Sequence, residues 1–276
     1  MQIINKKLIA QLALLFFITQ AIGLATGDFL INEDIHATMI NEDPDSIDNS
    51  IFLIGYILVF TAILLAVLKF APEWLFYIFL KGIESLAILG TTAIVLSAFI
   101  TEGIVVLVLA VIMVGLRIFL SKNIWLRNVS SVFATAGAGA LIGASLGVLP
   151  IIVFIVLLSV YDLIAVFKTK HMVTLAKGVT KKNLSFTFAL PTKDHQFELG
   201  TGDMVIPLAF AVSVLGSVKQ TGIQNVFMIP SLILFGSLIG LIVTVHWASQ
   251  KNGKALPALP LQTLLMIIVY VVASIL

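Results

Sequence analysis

Two aspartates, Asp162 and Asp203, stand in stretches that are otherwise almost wholly apolar, VLLSVYDLIAVF and LGTGDMVIPLAF. An Asp at the centre of a lipid-spanning helix costs about 2.5 to 3.5 kcal/mol on insertion scales, so each one calls for a partner or a task. Neither has a cation close by in sequence. Two carboxylates that face each other in a poorly solvated site cannot both ionise cheaply, and they would share a proton at neutral pH. Such a pair can hydrolyse an amide. One carboxylate takes a proton from water as it attacks the carbonyl, and the other gives a proton to the carbonyl oxygen. The same two groups would also serve as a helix-packing contact, or as a carboxylate-gated proton or ion pathway, and the pair alone leaves these open.

The elements that carry them are membrane spans. The chain has 276 residues, of which 60% are hydrophobic and 11% charged, and its mean hydropathy is +1.14. This describes a polytopic membrane protein and not a water-soluble globule. The absence of cysteine excludes disulfides and Cys-ligated metals. At about 20 apolar residues per span, nine candidates lie at 8–25, 51–68, 74–98, 103–120, 128–147, 149–167, 200–217, 226–248 and 259–276. The expected fold is an all-α polytopic bundle of nine transmembrane helices, a single domain over 1–276. The first segment also fits a secretory signal peptide, but its apolar run of about 18 residues exceeds a usual signal core, which favours a retained span. The fifth, rich in Gly, Ala and Ser, is divided from the sixth only near Pro150.

An odd number of spans puts the termini on opposite sides, and charge fixes which. With the N-terminus cytoplasmic and the C-terminus outside, Lys6, Lys7, Lys69, Arg117, Lys122, Arg127, Lys168, Lys170, Lys177, Lys181, Lys182, Lys193, Lys251 and Lys254 fall at cytoplasmic ends or loops. Of 16 basic residues only Lys219 falls outside and Lys81 within a span. Conversely Asp28, Glu33, Asp34, Glu42, Asp43, Asp45 and Asp48, half of all acids, occupy the first external loop.

That orientation gives the two aspartates a depth. Asp162 lies six residues before Lys168, and Asp203 five after Glu198. At 1.5 Å per helical residue both carboxylates sit roughly 7 to 9 Å below the inner surface, at one level. Consecutive antiparallel helices usually pack side by side, so the two can face each other across one seam. Gly200 and Gly202 beside Asp203 would let another backbone approach and the helix entry bend, although glycines also start helices for no catalytic reason. The third acid inside a span, Glu84, has Lys81 three residues earlier on the same helical face and reads as a structural pair.

The long connection 168–198 contains NLSFTFALPT, Asn183 to Thr192, where Leu184, Phe186, Phe188 and Leu190 alternate with smaller or polar residues as in a half-buried strand. A strand there needs a partner for its edge. Gly143-Ala144-Ser145-Leu146-Gly147 matches the G-x-S-x-G pattern and, with His246, raises a serine protease as the alternative enzyme. That motif requires a strand-to-helix turn, whereas Gly139, Gly143 and Gly147 recur every four residues, as do Gly236 and Gly240, which reads as close helix packing within the chain or between copies. None of His36, His171, His195 and His246 begins an H-E-x-x-H, so a zinc protease has no support, and His246 with Trp247 reads as an interfacial anchor.

Tyr161-Asp162 in the sixth span, Gly200-Thr201-Gly202-Asp203 at the seventh and Pro257-Ala258-Leu259-Pro260 opening the ninth resemble the YD, GxGD and PAL motifs of the presenilin and signal peptide peptidase family. The three occur in order on the expected spans, so the resemblance covers essentially the whole chain, which looks most similar to the compact archaeal-type presenilin homologues. It implies an intramembrane aspartyl endopeptidase with Asp162 and Asp203 as the catalytic pair. It also implies that Tyr161, Gly200, Thr201, Gly202, Pro257, Ala258, Leu259 and Pro260 shape the site for substrate. The charge distribution agrees with the presenilin orientation and not with the inverted one of signal peptide peptidases. Thr201 departs from the aliphatic residue of animal presenilins at a position tied to cleavage preference, so specificity does not carry over. The expected partners are the bilayer, transmembrane-helix substrates and, through the glycine faces, further copies of the chain; no cofactor, metal or nucleic acid is implied. Helical substrates hide their amides and must unwind, and the strand segment 184–190 or the PAL segment would offer an edge to the unwound chain. Pro257 and Pro260 lack backbone donors, which would keep that stretch non-helical, or they would simply open the helix.

Overall fold

A computed structural model describes residues 6–169, 187–191, 196–222, 224–250 and 257–275. The expected strand residues Leu184 and Phe186, His171, His195, and the loop lysines Lys170, Lys177, Lys181, Lys182, Lys193, Lys251 and Lys254 lie outside them.

Nine α-helices are found among the described residues: α1 (Lys6–Asn32), α2 (Ile47–Phe70), α3 (Glu73–Ser97), α4 (Gly103–Phe119), α5 (Ile124–Ser145), α6 (Val148–Leu163), α7 (Gly202–Gln220), α8 (Met228–Gln250) and α9 (Leu259–Ile275). Six are long and apolar enough to cross a membrane, while α4 and α9 are shorter apolar helices. The remaining one, α5, is diluted by Gly, Ala and Ser but spans 22 residues. This is the all-α membrane fold anticipated from the hydropathy pattern. Where α5 and α6 were hardest to divide, the chain is extended at Leu146 and Gly147, and Pro150 sits in the first turn of α6, where its missing N–H costs nothing.

Helix α7 is the axis of the bundle. It packs against α1, α5, α6, α8 and α9, and Met204 and every residue from Ile206 to Leu215 are buried. Because lipid tails are as apolar as Leu, helices associate here through close van der Waals packing, which small residues permit. The glycines show how close. A Cβ at Gly143 would lie 2.5 Å from the carbonyl oxygen of Ala209 in α7, and one at Gly139 would overlap Leu208. From the other side Gly23 and Gly27 of α1 face Leu208 and Val212. The four-residue glycine period of α5 is therefore an intramolecular seam against α7. Ser145 ends α5: its hydroxyl donates to the Leu141 carbonyl at 2.6 Å and accepts the N–H of Ala37, in the connection between α1 and α2, at 2.8 Å. It closes a helix and is not held on a strand-to-helix turn.

Glu84 pairs with Lys81 at 2.6 Å as expected, and also with Arg117 of α4 at 3.2 Å. Arg117, assigned by charge counting to a helix end, is buried and ties α4 to α3. Lys219, the one outlying cation, is paired with Asp28.

The expected strand exists as β1 (Thr187–Pro191), and its partner is β2 (Gln196–Gly200), antiparallel, with Phe188 opposite Leu199 and Ala189 opposite Glu198. The other edge of β1 is held by α5. The Asn128 side chain donates to the Ala189 carbonyl at 2.9 Å and accepts its N–H at 2.8 Å, imitating a neighbouring strand. Arg127 donates through Nε to the Thr187 carbonyl at 3.2 Å and through Nη2 to Thr187 Oγ1 and Glu198 Oε2. Over 187–190, the described part of the expected segment 184–190, the free edge of β1 is thus taken by α5 side chains, with Phe188 and Leu190 in the core, and these residues present no open edge. The outer strand of the hairpin is β2.

Candidate active site

Strand β2 ends at Gly200 and α7 starts at Gly202, so a single residue, Thr201, separates the hairpin from the central helix. The Thr201 carbonyl accepts the N–H groups of Met204 and Val205, both at 3.0 Å, which starts the helix around Asp203. Asp203 therefore sits in the first turn of α7, its carboxyl folded back over Gly200: a Cβ on that glycine would lie 3.6 Å from Oδ2. Gly202 is exposed and has open space where a side chain would be.

Asp162 occupies the last turn of α6, immediately ahead of a π-helical segment, Ile164–Thr169, that continues the helix with a wider winding. Such segments recur at functional sites because the local bulge re-aims side chains. Tyr161, beside it, packs into the apolar cluster that also holds Ile206, Phe210 and Leu259. The backbone of Leu259 lies beside the Asp162 carboxyl. Across the seam α6 packs against α7, with Asp162 in the last turn of the one and Asp203 in the first turn of the other. Both aspartates are half-buried.

The PAL segment adopts a mixed conformation. Pro257 and Ala258 are non-helical, Leu259 and Pro260 open α9, and Ala258 and Leu259 are buried. The Ala258 carbonyl accepts the Gln262 N–H at 3.3 Å. Both readings of the prolines hold in part: Leu259 and Pro260 open a helix, while Pro257 and Ala258 before them stay non-helical.

The structure thus places Tyr161 and Asp162 at the end of α6, Gly200 to Asp203 where β2 runs into α7, and Pro257 to Pro260 at the entry to α9, whose helices α6, α7 and α9 pack on one another. A cavity of about 160 Å³, lined by Glu84, Thr91, Thr135, Thr201 and Val205 among others, adjoins the start of α7 on the α3 and α5 side. Two contributors went unnoticed in sequence. Gln262, fully buried, donates to the carbonyl of Asp203 at 3.1 Å, and Gln20 of α1 to the carbonyl of Met204 at 3.0 Å. Among the described residues no group of His, Cys, Asp or Glu is arranged to hold a metal ion.

Comparison with known proteins gives a family match over residues 13–199, described as signal-peptide peptidase, presenilin aspartyl protease. The matched region includes Asp162 and stops just before Asp203. Among solved structures the chain is similar to a presenilin family intramembrane aspartate protease, with a TM-score of 0.72 at 24% identity over 97% of this chain and 99% of that one. A second crystal form of such a protease gives a TM-score of 0.66 at 24% identity, covering 100% and 98% of the two chains. At that identity the likeness speaks to the fold. No curated protein sequence matches.

Proposed function

Since the chain belongs to the signal-peptide peptidase and presenilin aspartyl protease family, and is on that ground an intramembrane aspartyl protease acting on transmembrane substrates, we propose that Asp162 and Asp203 are its catalytic pair. The observation that carries this reading is their placement: Asp162 in the last turn of α6 and Asp203 in the first turn of α7 lie at the same end of two helices that pack on each other. One carboxylate, as base, takes the proton of the water that attacks the scissile carbonyl. The other, protonated, donates to the carbonyl oxygen, and the roles reverse as the tetrahedral intermediate expels the amine. The cavity beside Thr201 is large enough to admit the attacking water.

The substrate is a single membrane-spanning helix whose scissile region has unwound, because a helical amide is shielded by its own hydrogen bonds. The open space at Gly202 leaves room for that extended backbone beside Asp203. The outer strand β2, which runs directly into Thr201, is the element in position to receive it as an added strand. Tyr161, Thr201 and the PAL segment then line the cleavage subsites. The distribution of basic residues supports an N-terminus in the cytoplasm, a C-terminus outside and a site opening near the inner surface.

The test is direct. Purified protein in liposomes is given a tagged single-span substrate, and the new ends are read by mass spectrometry. Ends inside the apolar stretch, toward its cytoplasmic side, agree with the proposal; ends confined to the soluble flanks overturn it. The natural absence of cysteine permits single-Cys labelling for orientation: Ser121→Cys should react only from the cytoplasmic face and Asn41→Cys only from outside.

A further inference from the structure

Helix α7 contains a proline, Pro207, four residues after Asp203. In an uninterrupted helix the N–H of residue 207 would bond to the carbonyl of residue 203, but proline has no N–H and its ring pushes that carbonyl aside. The carbonyl of Asp203 is therefore left without its helical donor, and a part-buried acceptor left unpaired is costly. Gln262 supplies the missing donor: its Nε2 lies 3.1 Å from that oxygen. The amide orientation follows from chemistry, because a backbone carbonyl can only accept.

The surroundings are built for this contact. Gln262 is 0% exposed, and its second amide hydrogen reaches Ser237 Oγ of α8 at 3.2 Å. Gly240, one turn further along α8, gives the Gln262 backbone room to approach, since a Cβ there would come within 3.1 Å of the Gln262 N and Cα. One helical turn earlier on the same helix, the Leu259 backbone lies beside the Asp162 carboxyl, where α9 packs on α6. The first turn of α9 thus contacts both aspartates, one through its side chain and the other through its backbone.

We propose that Gln262 is a positioning residue for hydrolysis: it replaces the hydrogen bond that Pro207 denies to Asp203, and the fixed spacing between Leu259 and Gln262 sets Asp203 against Asp162. The proposal rests on the reading of these aspartates as the catalytic pair. A helix α7 bonded to α9 rather than to itself at this point lets the carboxyl follow α9, so the two acids keep one separation when substrate enters.

The experiment measures kcat and KM on a single-span substrate for Gln262→Met, Pro207→Ala and their combination, with Asp162→Asn and Asp203→Asn as references. Methionine matches the volume of glutamine but cannot donate. In the native background Gln262→Met should lower kcat roughly 10- to 100-fold with KM changed by less than about twofold, as expected for a misplaced catalytic group. Pro207→Ala restores a backbone N–H that can donate to the Asp203 carbonyl, so in that background the loss caused by Gln262→Met should be smaller by about fivefold or more. An equal loss in both backgrounds, or none in either, overturns the proposal. If Gln262→Met alone does not accumulate, the double variant decides: recovered folding and turnover support the proposal, and their absence overturns it. Activity in Asp162→Asn or Asp203→Asn would instead remove the catalytic reading beneath it.

Discussion

The backbone of Leu259 lies beside the carboxyl of Asp162, which brings the first turn of α9 against the last turn of α6. The PAL and YD segments, nearly a hundred residues apart in sequence, are thereby one structural unit. This makes Asp162→Asn an informative substitution. Asparagine keeps the size and shape of aspartate beside Leu259, so thermal unfolding should shift by only a few degrees, while turnover falls at least about a hundredfold because the proton-transfer group is gone. Differential scanning fluorimetry beside a cleavage assay separates the two effects.

Much of this arrangement was legible in the sequence, and the reasons are physical. Asp162 and Asp203 stood out because an acid is conspicuous among Val, Leu and Ile, and their equal depth followed from helix rise and nearby charges. The glycine seam of α5 was visible because its period matches one helix face. The contribution of Gln262 was hidden, since a glutamine three residues inside an apolar helix carries no pattern, and its role depends on Pro207 in another helix. Strand β2 was missed because Gln196 to Gly200 offers only two apolar residues, and Arg117 because a cation near a helix end reads as interfacial until Glu84 is placed beside it.

The hairpin depends on α5 for its edge. Asn128→Leu removes both bonds to Ala189 and should cost about 1 to 3 kcal/mol, whereas Asn128→Asp keeps the acceptor for the Ala189 N–H and should cost less. Thermal unfolding of the two variants in the same detergent ranks them; equal stability would contradict the strand-like role of this side chain.

Arg127 is nearly fully buried and bonded to Glu198, five residues before Asp203. Removing one member of a buried pair typically costs about 3 to 5 kcal/mol, while replacing both with apolar groups is often close to neutral. Arg127→Met should therefore be strongly destabilised and Arg127→Met/Glu198→Leu substantially restored. A double variant as unstable as the single would mean that Arg127 acts through Thr187 rather than Glu198.

The glycines divide into two classes. Gly143→Ala drives a methyl group to 2.5 Å from the Ala209 carbonyl oxygen, and backbone cannot yield cheaply, so a loss of about 1 to 3 kcal/mol is expected. Gly55→Ala in α2 meets nothing within 4 Å and should leave stability unchanged or raise it by up to about 1 kcal/mol. Midpoints of thermal unfolding for the pair check the α5–α7 seam.

The claim on which the account turns is that one proton is shared and passed between two carboxyls brought together from α6 and α7. Initial rates of fragment release from a transmembrane substrate, measured for Asp162→Asn, Asp203→Asn and Ser145→Ala at matched folded concentration, address it most directly. Background rates for both aspartate variants, with Ser145→Ala near the native rate, are the predicted result. Sustained release by either aspartate variant, or its loss in Ser145→Ala alone, would contradict it.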